Sequence, residues 1–437
     1  MIKQFIRKLR EYYQRPSEAI YLIETAMFGN EYQFVKECLH SGKVSTIGTE
    51  VERLEQAIIQ HTGAKYAIAT SSGTAALHLG LLALGVKPND WVLTTPFTFV
   101  ATANAIVHSG ASPMFLDIDR HTLGLSPEVL AEFLANETYI DNSGQCVHTV
   151  SKRRITVCLP VHVFGHPAHM TEIVQVCNQY GITVLEDSAE GLGSTRNNQP
   201  VGTNGKAGVL SFNGNKIVTT GGGGALLTSD LEVYQSVRST ASSTLIYSLL
   251  SSSAEDKPLE YGLNANLPKL ETPGYSVSAA PTSYKTPGSN AIASVSQAQN
   301  SRLKAFVGSS VGYNYRMPAL NAALGLAQWE HLDQRIQKKR DLAYWYQSLF
   351  ANSEVKVLDE PTDCFSNFWL NALIFPERNS RDQFVLDSTK AGIESRPVWT
   401  LLSRYPSFTN SYQMPLPNAR WAESCMANIP STIFPHA

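Results

Sequence analysis

Residues 65–85 read KYAIATSSGTAALHLGLLALG, and the stretch changes period at its single internal turn. The first part, 65–72, is a short apolar strand ending in two serines. From Gly73 the apolar residues recur at helical spacing, and Gly85 closes the run as helix-terminal glycines do. A strand that passes through one glycine into a helix predicts the βα unit of a parallel sheet. The junction also offers chemistry. Backbone N–H groups of Gly73, Thr74 and Ala75 at a helix N-terminus, with the Ser72 and Thr74 hydroxyls, make an anion cradle suited to a phosphate.

The alternation continues on both sides. GTEVERLEQAIIQHTG (48–63) predicts a helix with capping-box spacing at Thr49 and Glu52. Downstream, strands are expected at 91–96, 113–119, 155–165 and 182–190, and helices at 99–110, 126–136 and 170–181. Such repetition implies a mainly parallel sheet between helices, with ligands at the carboxyl ends of its strands. The texture changes near residue 241, where a Ser-, Pro-, Ala- and Asn-rich stretch with weak periodicity predicts a largely irregular insert. Order resumes at 311–350 with a turn and long amphipathic helices, then a strand at 368–375 and a helix at 380–392. The expected division is an N-terminal segment and large domain over 1–240, an insert over 241–310, and a contact turn with a smaller α+β domain over 311–437.

Composition narrows the function classes. Of 437 residues, 43% are hydrophobic and 16% charged, with a net charge of −2, so no global field draws the chain to nucleic acid or an anionic membrane. The basic runs SKRR (151–154) and QKKR (337–340) read as solvated faces. Six scattered cysteines without a CxxC pair suit reduced thiols in a cytoplasmic enzyme, and no metal site is expected. The start MIKQFIRKLREYYQ is too charged for a secretory leader. No apolar run reaches the roughly 18 residues of a membrane span.

Three features then converge. Lys216 lies in SFNGNKIVTTGGGG (211–224) among small uncharged residues. Sequestered from water, its amine would lose proton affinity and become a nucleophile able to form a Schiff base; alone, it could equally reach solvent from a tight turn. Asp187, in ITVLEDSAE, falls where an apolar strand should end. There it could hold the ring nitrogen of pyridoxal 5′-phosphate (PLP) protonated, or merely cap a turn. The cradle at 70–77 is the third feature, and Ser211 could add a phosphate donor. Cradle, aspartate and lysine come in the chain order of fold type I PLP enzymes.

The stretches TTPFTFVATANAI, DIDRHTLGLSP, LPVHVFGHPAHM, LEDSAEGLGS, SFNGNKIVTTGGGG and VGYNYRMPALNAALG resemble the DegT-type sugar-nucleotide aminotransferases over roughly 31–240 and 311–437. NGNKIVTTGGGG, SRPVWTLLSRYPSF (395–408) and LPNARWAESCMANIPST (416–432) resemble the branch on routes to bacillosamine and legionaminic acid. The resemblance implies a fold type I PLP-transferase that aminates a nucleotide-linked 4-keto-6-deoxy-N-acetylhexosamine with L-glutamate. It makes Lys216 the cofactor lysine and Asp187 the ring-nitrogen partner. Phe99 would stack on the ring, Glu190 would stand near the ring hydroxyl and substrate, and Thr74, Ala75 and Ser211 would hold the phosphate. Asn314 would reach the phosphate of a neighbouring subunit, so a homodimer would share its sites. His162, Arg316 and Arg396 are candidate substrate contacts. The long insert departs from the family pattern, as do Gly308, Ser309 and Ser310, where a His-acid-acid sequence is expected. Two rivals follow: a sugar dehydratase on the same fold, which would carry histidine in place of Lys216, and a PLP-binding regulatory relative without turnover.

Overall fold

The structure, a computed structural model, describes residues 2–27, 29–46, 48–242, 245–247, 305–307 and 312–433. Seven strands form the main sheet: β1 (Tyr66–Thr70), β2 (Trp91–Thr94), β3 (Ser112–Phe115), β4 (Ile155–Cys158), β5 (Thr183–Asp187), β6 (Ala207–Ser211) and β7 (Gly224–Thr228). Their order is β1-β7-β6-β5-β4-β2-β3. Every neighbouring pair is parallel except the two that include β7, which runs against both β1 and β6. Six carboxyl ends therefore share one edge with the amino end of β7. Thr70 and Ser211 both face Gly224 there.

Both faces of the sheet are covered, and the strands show it residue by residue. Ile68, Val209 and Leu226 join one apolar cluster with the Gly73–Ala83 helix, while Ala67, Leu210 and Leu227 join the cluster on the other side. That is the period-2 alternation of a strand buried twice. The Gly73–Ala83 helix lies close to the sheet because Gly80 has no side chain; a Cβ there would stand 3.1 Å from both Leu185 and Leu226. Each leucine fully buried this way contributes about 1.5–3 kcal/mol.

A second, antiparallel sheet joins Lys356–Val357, Asn371–Ile374, Met426–Ile429 and Arg396–Pro397 in that order. The first helix, Ile2–Tyr13, packs with this C-terminal part: Phe5 lies 5.9 Å from Phe350 and 5.0 Å from Phe384, ring to ring. The chain divides into two compact units, residues 1–243 with 311–437, and residues 244–310. Of the second, the described part is an antiparallel pair, Leu245–Tyr247 with Ala305–Val307. The expected irregularity of 241–310 otherwise falls outside the described residues, as do Gly308, Ser309 and Ser310.

Two local expectations are corrected. The Thr49–Thr62 helix is preceded by Gly48 at the cap position, and no side chain caps it, so Thr49 is already helical and the Thr49–Glu52 box is not made. The strand expected over 155–165 stops at Cys158, and Val163–Gly165 form a single 3₁₀ turn with Phe164 at φ +57. Pro160 lacks the N–H that a continuing ladder would need. All six cysteines are free thiols. Among the described residues, no helix is long and apolar enough to cross a membrane, and no grouping of His, Cys, Asp and Glu could hold a metal ion.

Candidate active site

Asp187 ends β5, 4% exposed, at the shared edge of the sheet. Its Oδ2 accepts a hydrogen bond from Thr102 Oγ1 (2.8 Å), and its Oδ1 accepts from the Ala189 N–H (3.2 Å). Thr102 Oγ1 is also 2.9 Å from Thr98 Oγ1. With the Thr102 proton given to an ionised Asp187, Thr98 must donate to Thr102. Burial pushes the Asp187 carboxyl up, against the Thr102 and Ala189 bonds and the Lys216 charge that favour the carboxylate.

The Lys216 side chain is 12% exposed, and its Nζ lies 3.4 Å from Glu190 Oε1. Burial lowers the affinity of this amine for its proton, while Glu190 and Asp187 oppose that fall. Glu190 is itself buried, which pushes its carboxyl up to about 7 against the pull of Lys216. Its second oxygen accepts the Phe164 N–H at 2.8 Å, which explains why the chain makes the positive-φ turn there. The amine's other side is closed by Trp369, whose ring centroid lies 3.7 Å from Nζ.

The cradle forms where β1 and β6 end and β7 begins. Gly224 has to be glycine because a Cβ would stand 2.5 Å from the Gly73 nitrogen and 2.6 Å from the Ser72 carbonyl carbon. Ser211 lies against the same helix start; a Cβ on Gly73 would meet its Cβ at 3.0 Å. Within the cradle one expectation changes. The Ala75 N–H is taken by Ser72 Oγ, 3.0 Å away, as the N-cap bond of the helix. Gly73, Thr74 and Ser211, with the remaining proton of Ser72, are the groups placed to meet an anion.

His162 is not at the opening. It is fully buried: Nδ1 accepts the Ala168 N–H at 3.1 Å, so Nε2 carries the proton it gives to Glu186, 3.0 Å away. Glu186 also accepts N–H groups from Gly202, Asn204 and Gly205. Side chains 186 and 187 point to opposite faces of β5, and His162 goes with Glu186. Arg396 lies exposed on the edge strand of the C-terminal sheet. Phe99 is 56% exposed at the cap position of the Val100–His108 helix. Asn314, exposed at φ +55, accepts from Arg316 Nη2 at 3.1 Å. Their turn is pinned beside the end of β1 by the Thr70–Arg316 bridge and by Ser71 N–H to Tyr315 O at 2.7 Å. Among the described residues, Arg316 Nε is buried without a hydrogen-bond partner. Thr98, Thr102, Asn367 and Trp369 were not foreseen. Thr102 could have been found as a hydroxyl in the first turn of a helix at the ligand edge; Asn367 and Trp369 have no local signal.

These groups fit PLP by donor type: an amine for its aldehyde, a buried carboxylate for its ring nitrogen, and a helix start with hydroxyls for its phosphate. The comparisons agree. The DegT/DnrJ/EryC1/StrS aminotransferase family matches residues 26–271 and 288–433. EpsN of Bacillus subtilis, named for a pyridoxal phosphate-dependent aminotransferase, is 31% identical over 393 residues, covering 89% of this chain and 84% of its own. The GDP-perosamine synthase of Escherichia coli O157:H7 is 29% identical over 390 residues, covering 89% and 87%. In fold, the chain is similar to Helicobacter pylori PseC, an aminotransferase involved in the biosynthesis of pseudaminic acid, with a TM-score of 0.73 at 20% identity over 94% of each chain.

Proposed function

We propose a donor and an acceptor for this chain, which belongs to the DegT/DnrJ/EryC1/StrS aminotransferase family and is a PLP-dependent sugar-nucleotide aminotransferase. The acceptor is the 4-ketone of a nucleotide-linked 4-keto-6-deoxy-N-acetylhexosamine, and the donor is L-glutamate. The observation that carries the reading is the Lys216 amine, set 3.4 Å from Glu190 on the sheet edge that Asp187 ends. The stretches at 395–408 and 416–432 support the N-acetylhexosamine branch.

PLP supplies an electron sink when bound. Lys216 would be its point of attachment, and its lowered proton affinity leaves a larger share of the amine neutral for that bond. Asp187, whose carboxylate form the Thr102 and Ala189 bonds favour against its burial, would hold a proton on the ring nitrogen. Gly73, Thr74, Ser72 and Ser211 would fix the phosphate end. Once displaced by the donor's amine, Lys216 would move the proton from the donor's Cα, and Glu190 stands ready to share it. The same groups acting in reverse on the ketone would complete the exchange. Arg316 is the better placed of the two candidate arginines for an anionic contact, because its Nε is buried beside the end of β1 with no partner among the described residues.

The test is mass spectrometry of products after incubation with PLP, L-glutamate and UDP- and GDP-linked 4-keto-6-deoxy sugars, with and without an N-acetyl group. An amine product from a substrate without the N-acetyl group alone would overturn the branch, and none from any would overturn the function. Lys216→Ala should lose both product and the visible absorption of lysine-bound cofactor. A shared site at a twofold dimer, with Asn314 serving the neighbour, is part of the proposal. Mixed Lys216→Ala and Asn314→Ala chains should then regain activity at limiting PLP; no recovery despite demonstrated subunit exchange would place the turn in its own chain's site.

A further inference from the structure

We infer that Trp369 is a positioning residue for Lys216, holding the amine between its indole face and the Glu190 carboxylate. The inference rests on Lys216 being the cofactor lysine. Nζ stands 3.7 Å from the ring centroid and 3.4 Å from Glu190 Oε1, so the amine is held from two sides. Trp369 is 4% exposed and tied at each of its polar groups. Its Nε1–H donates to the carbonyl oxygen of Asn215, the residue before Lys216, at 2.6 Å. Its backbone N–H donates to Asn367 Oδ1 at 2.8 Å, and its carbonyl oxygen accepts from Lys339 Nζ at 2.9 Å.

Asn367 closes the circuit. Its Nδ2 donates to the carbonyl oxygens of Glu190 (2.8 Å) and Leu192 (2.9 Å). One short segment thus fixes both groups that flank the amine. Between Asn367 and Trp369, Phe368 sits at φ +47, a conformation costly for a bulky residue that the surrounding bonds must enforce. A segment that only filled the core would not need that turn.

The ring face also has an electronic consequence. An aromatic face attracts an ammonium and is indifferent to a neutral amine. The other charged or titratable groups around Lys216 are Glu190 and Asp187 on the sheet side, and Glu24, Arg335 and Lys339 around a cavity of about 20 Å³ that Lys216 also lines. Replacing the indole with an apolar side chain keeps the amine dry and removes the attraction. The proton affinity of Lys216 then falls further. If Trp369 were only packing, a dry apolar replacement would leave that affinity where it is, and any water admitted would raise it. Only the ring-face role predicts a fall.

The experiment is competitive labelling of the full chain, without added cofactor, by trace acetic anhydride across pH 6–10, with Lys216 quantified by mass spectrometry against exposed Lys36. With each rate scaled to its value at pH 10, so that a change in access cancels, Trp369→Met should label Lys216 on the order of threefold to tenfold faster than wild type at pH 7. Trp369→Phe, a weaker cation acceptor, should fall between the two. Circular dichroism and a cooperative unfolding transition check the fold. Should the Met variant not fold, Trp369→Leu gives the same comparison, and failing both, the Phe variant against wild type decides. Unchanged or slower labelling overturns the inference. The readout needs no turnover, so a wild-type enzyme that transfers no amine would overturn the proposed function and leave Trp369 to be judged on labelling alone.

Discussion

Glu186 and Asp187 are adjacent carboxylates with different fates, and the difference comes from what each strand face offers. Glu186 receives three backbone N–H groups and the His162 imidazole, so its charge is fully used within the fold. Asp187 receives one hydroxyl and one N–H, which leaves capacity for a ligand. Thr102→Val keeps the shape and deletes the hydroxyl. Hydrogen bonds to charged groups are worth about 1.5–3 kcal/mol, so the Asp187 carboxyl should rise by about one to two pH units. Because the ionised form is the working one, the acid limb of the kcat/KM profile should move upward in pH; a profile that stays in place would remove Thr102 from the site. Glu190 gives a stability prediction. Its carboxyl is raised to about 7 in the fold, so the folded chain holds more protons than the unfolded one between about 4.5 and 7. Stability must fall as pH rises through that window and level off above it. Glu190→Gln should lack this slope and exceed wild type at pH 8 by on the order of 3 kcal/mol, read from urea unfolding at pH 5, 6, 7 and 8. Equal slopes would refute it. Asp187 and Lys216 were legible in the sequence because each has a local signature, a strand end and a bed of small residues. Trp369 and Asn367 were not, because their partners are 154 and 177 positions away, and Thr102 offered only a hydroxyl in the first turn of a helix at the ligand edge.

At the scale of elements, β7 is the informative strand. The βα alternation predicts parallel neighbours, yet β7 enters between β1 and β6 reversed and brings its first residue, Gly224, to the edge where theirs end. That reversal sets Gly224 against the start of the Gly73–Ala83 helix, and it could not be read from alternation alone, which ends at β6. Gly224→Ala tests the arrangement. The added Cβ would press on backbone, which cannot rotate away as a side chain can. The expected cost is about 1–3 kcal/mol in stability, with the affinity for PLP falling at least tenfold as the Gly73 helix start shifts. Equilibrium dialysis with PLP and thermal unfolding would read both; unchanged affinity would separate the cradle from the phosphate. Element types followed apolar periodicity, whereas several ends followed tertiary bonds. The strand expected over 155–165 ends at Cys158, before Pro160, and the Phe164 turn beyond it gives its N–H to Glu190, a partner that no pattern within 155–165 announces.

For the whole molecule, the second unit, residues 244–310, raises the question of how the chain on its two sides is held together. The answer lies at its ends. Tyr313 N–H donates to Thr240 O and Tyr315 N–H to Ala241 O, both at 2.9 Å, so the chain on either side of the insert is already joined within the main unit. The two anchor points are neighbours within the main unit. The sequence marked this segment by composition, but it could not show that residues 240 and 313 meet, because that contact depends on the turn bonding beside β1. Replacing residues 244–310 with a short Gly-Ser linker should therefore leave the main unit folded, with a cooperative unfolding transition and the visible absorption of lysine-bound PLP intact. The cradle, Asp187, Glu190, Lys216 and Trp369 all lie outside the excised residues. Amine transfer to the nucleotide sugar is the separate readout. Retained cofactor absorption with lost transfer would assign the insert to the substrate side or to the subunit contact. Loss of both would mean that the Tyr313 and Tyr315 bonds do not hold the turn without the insert, and that the main unit depends on residues 244–310 for its fold.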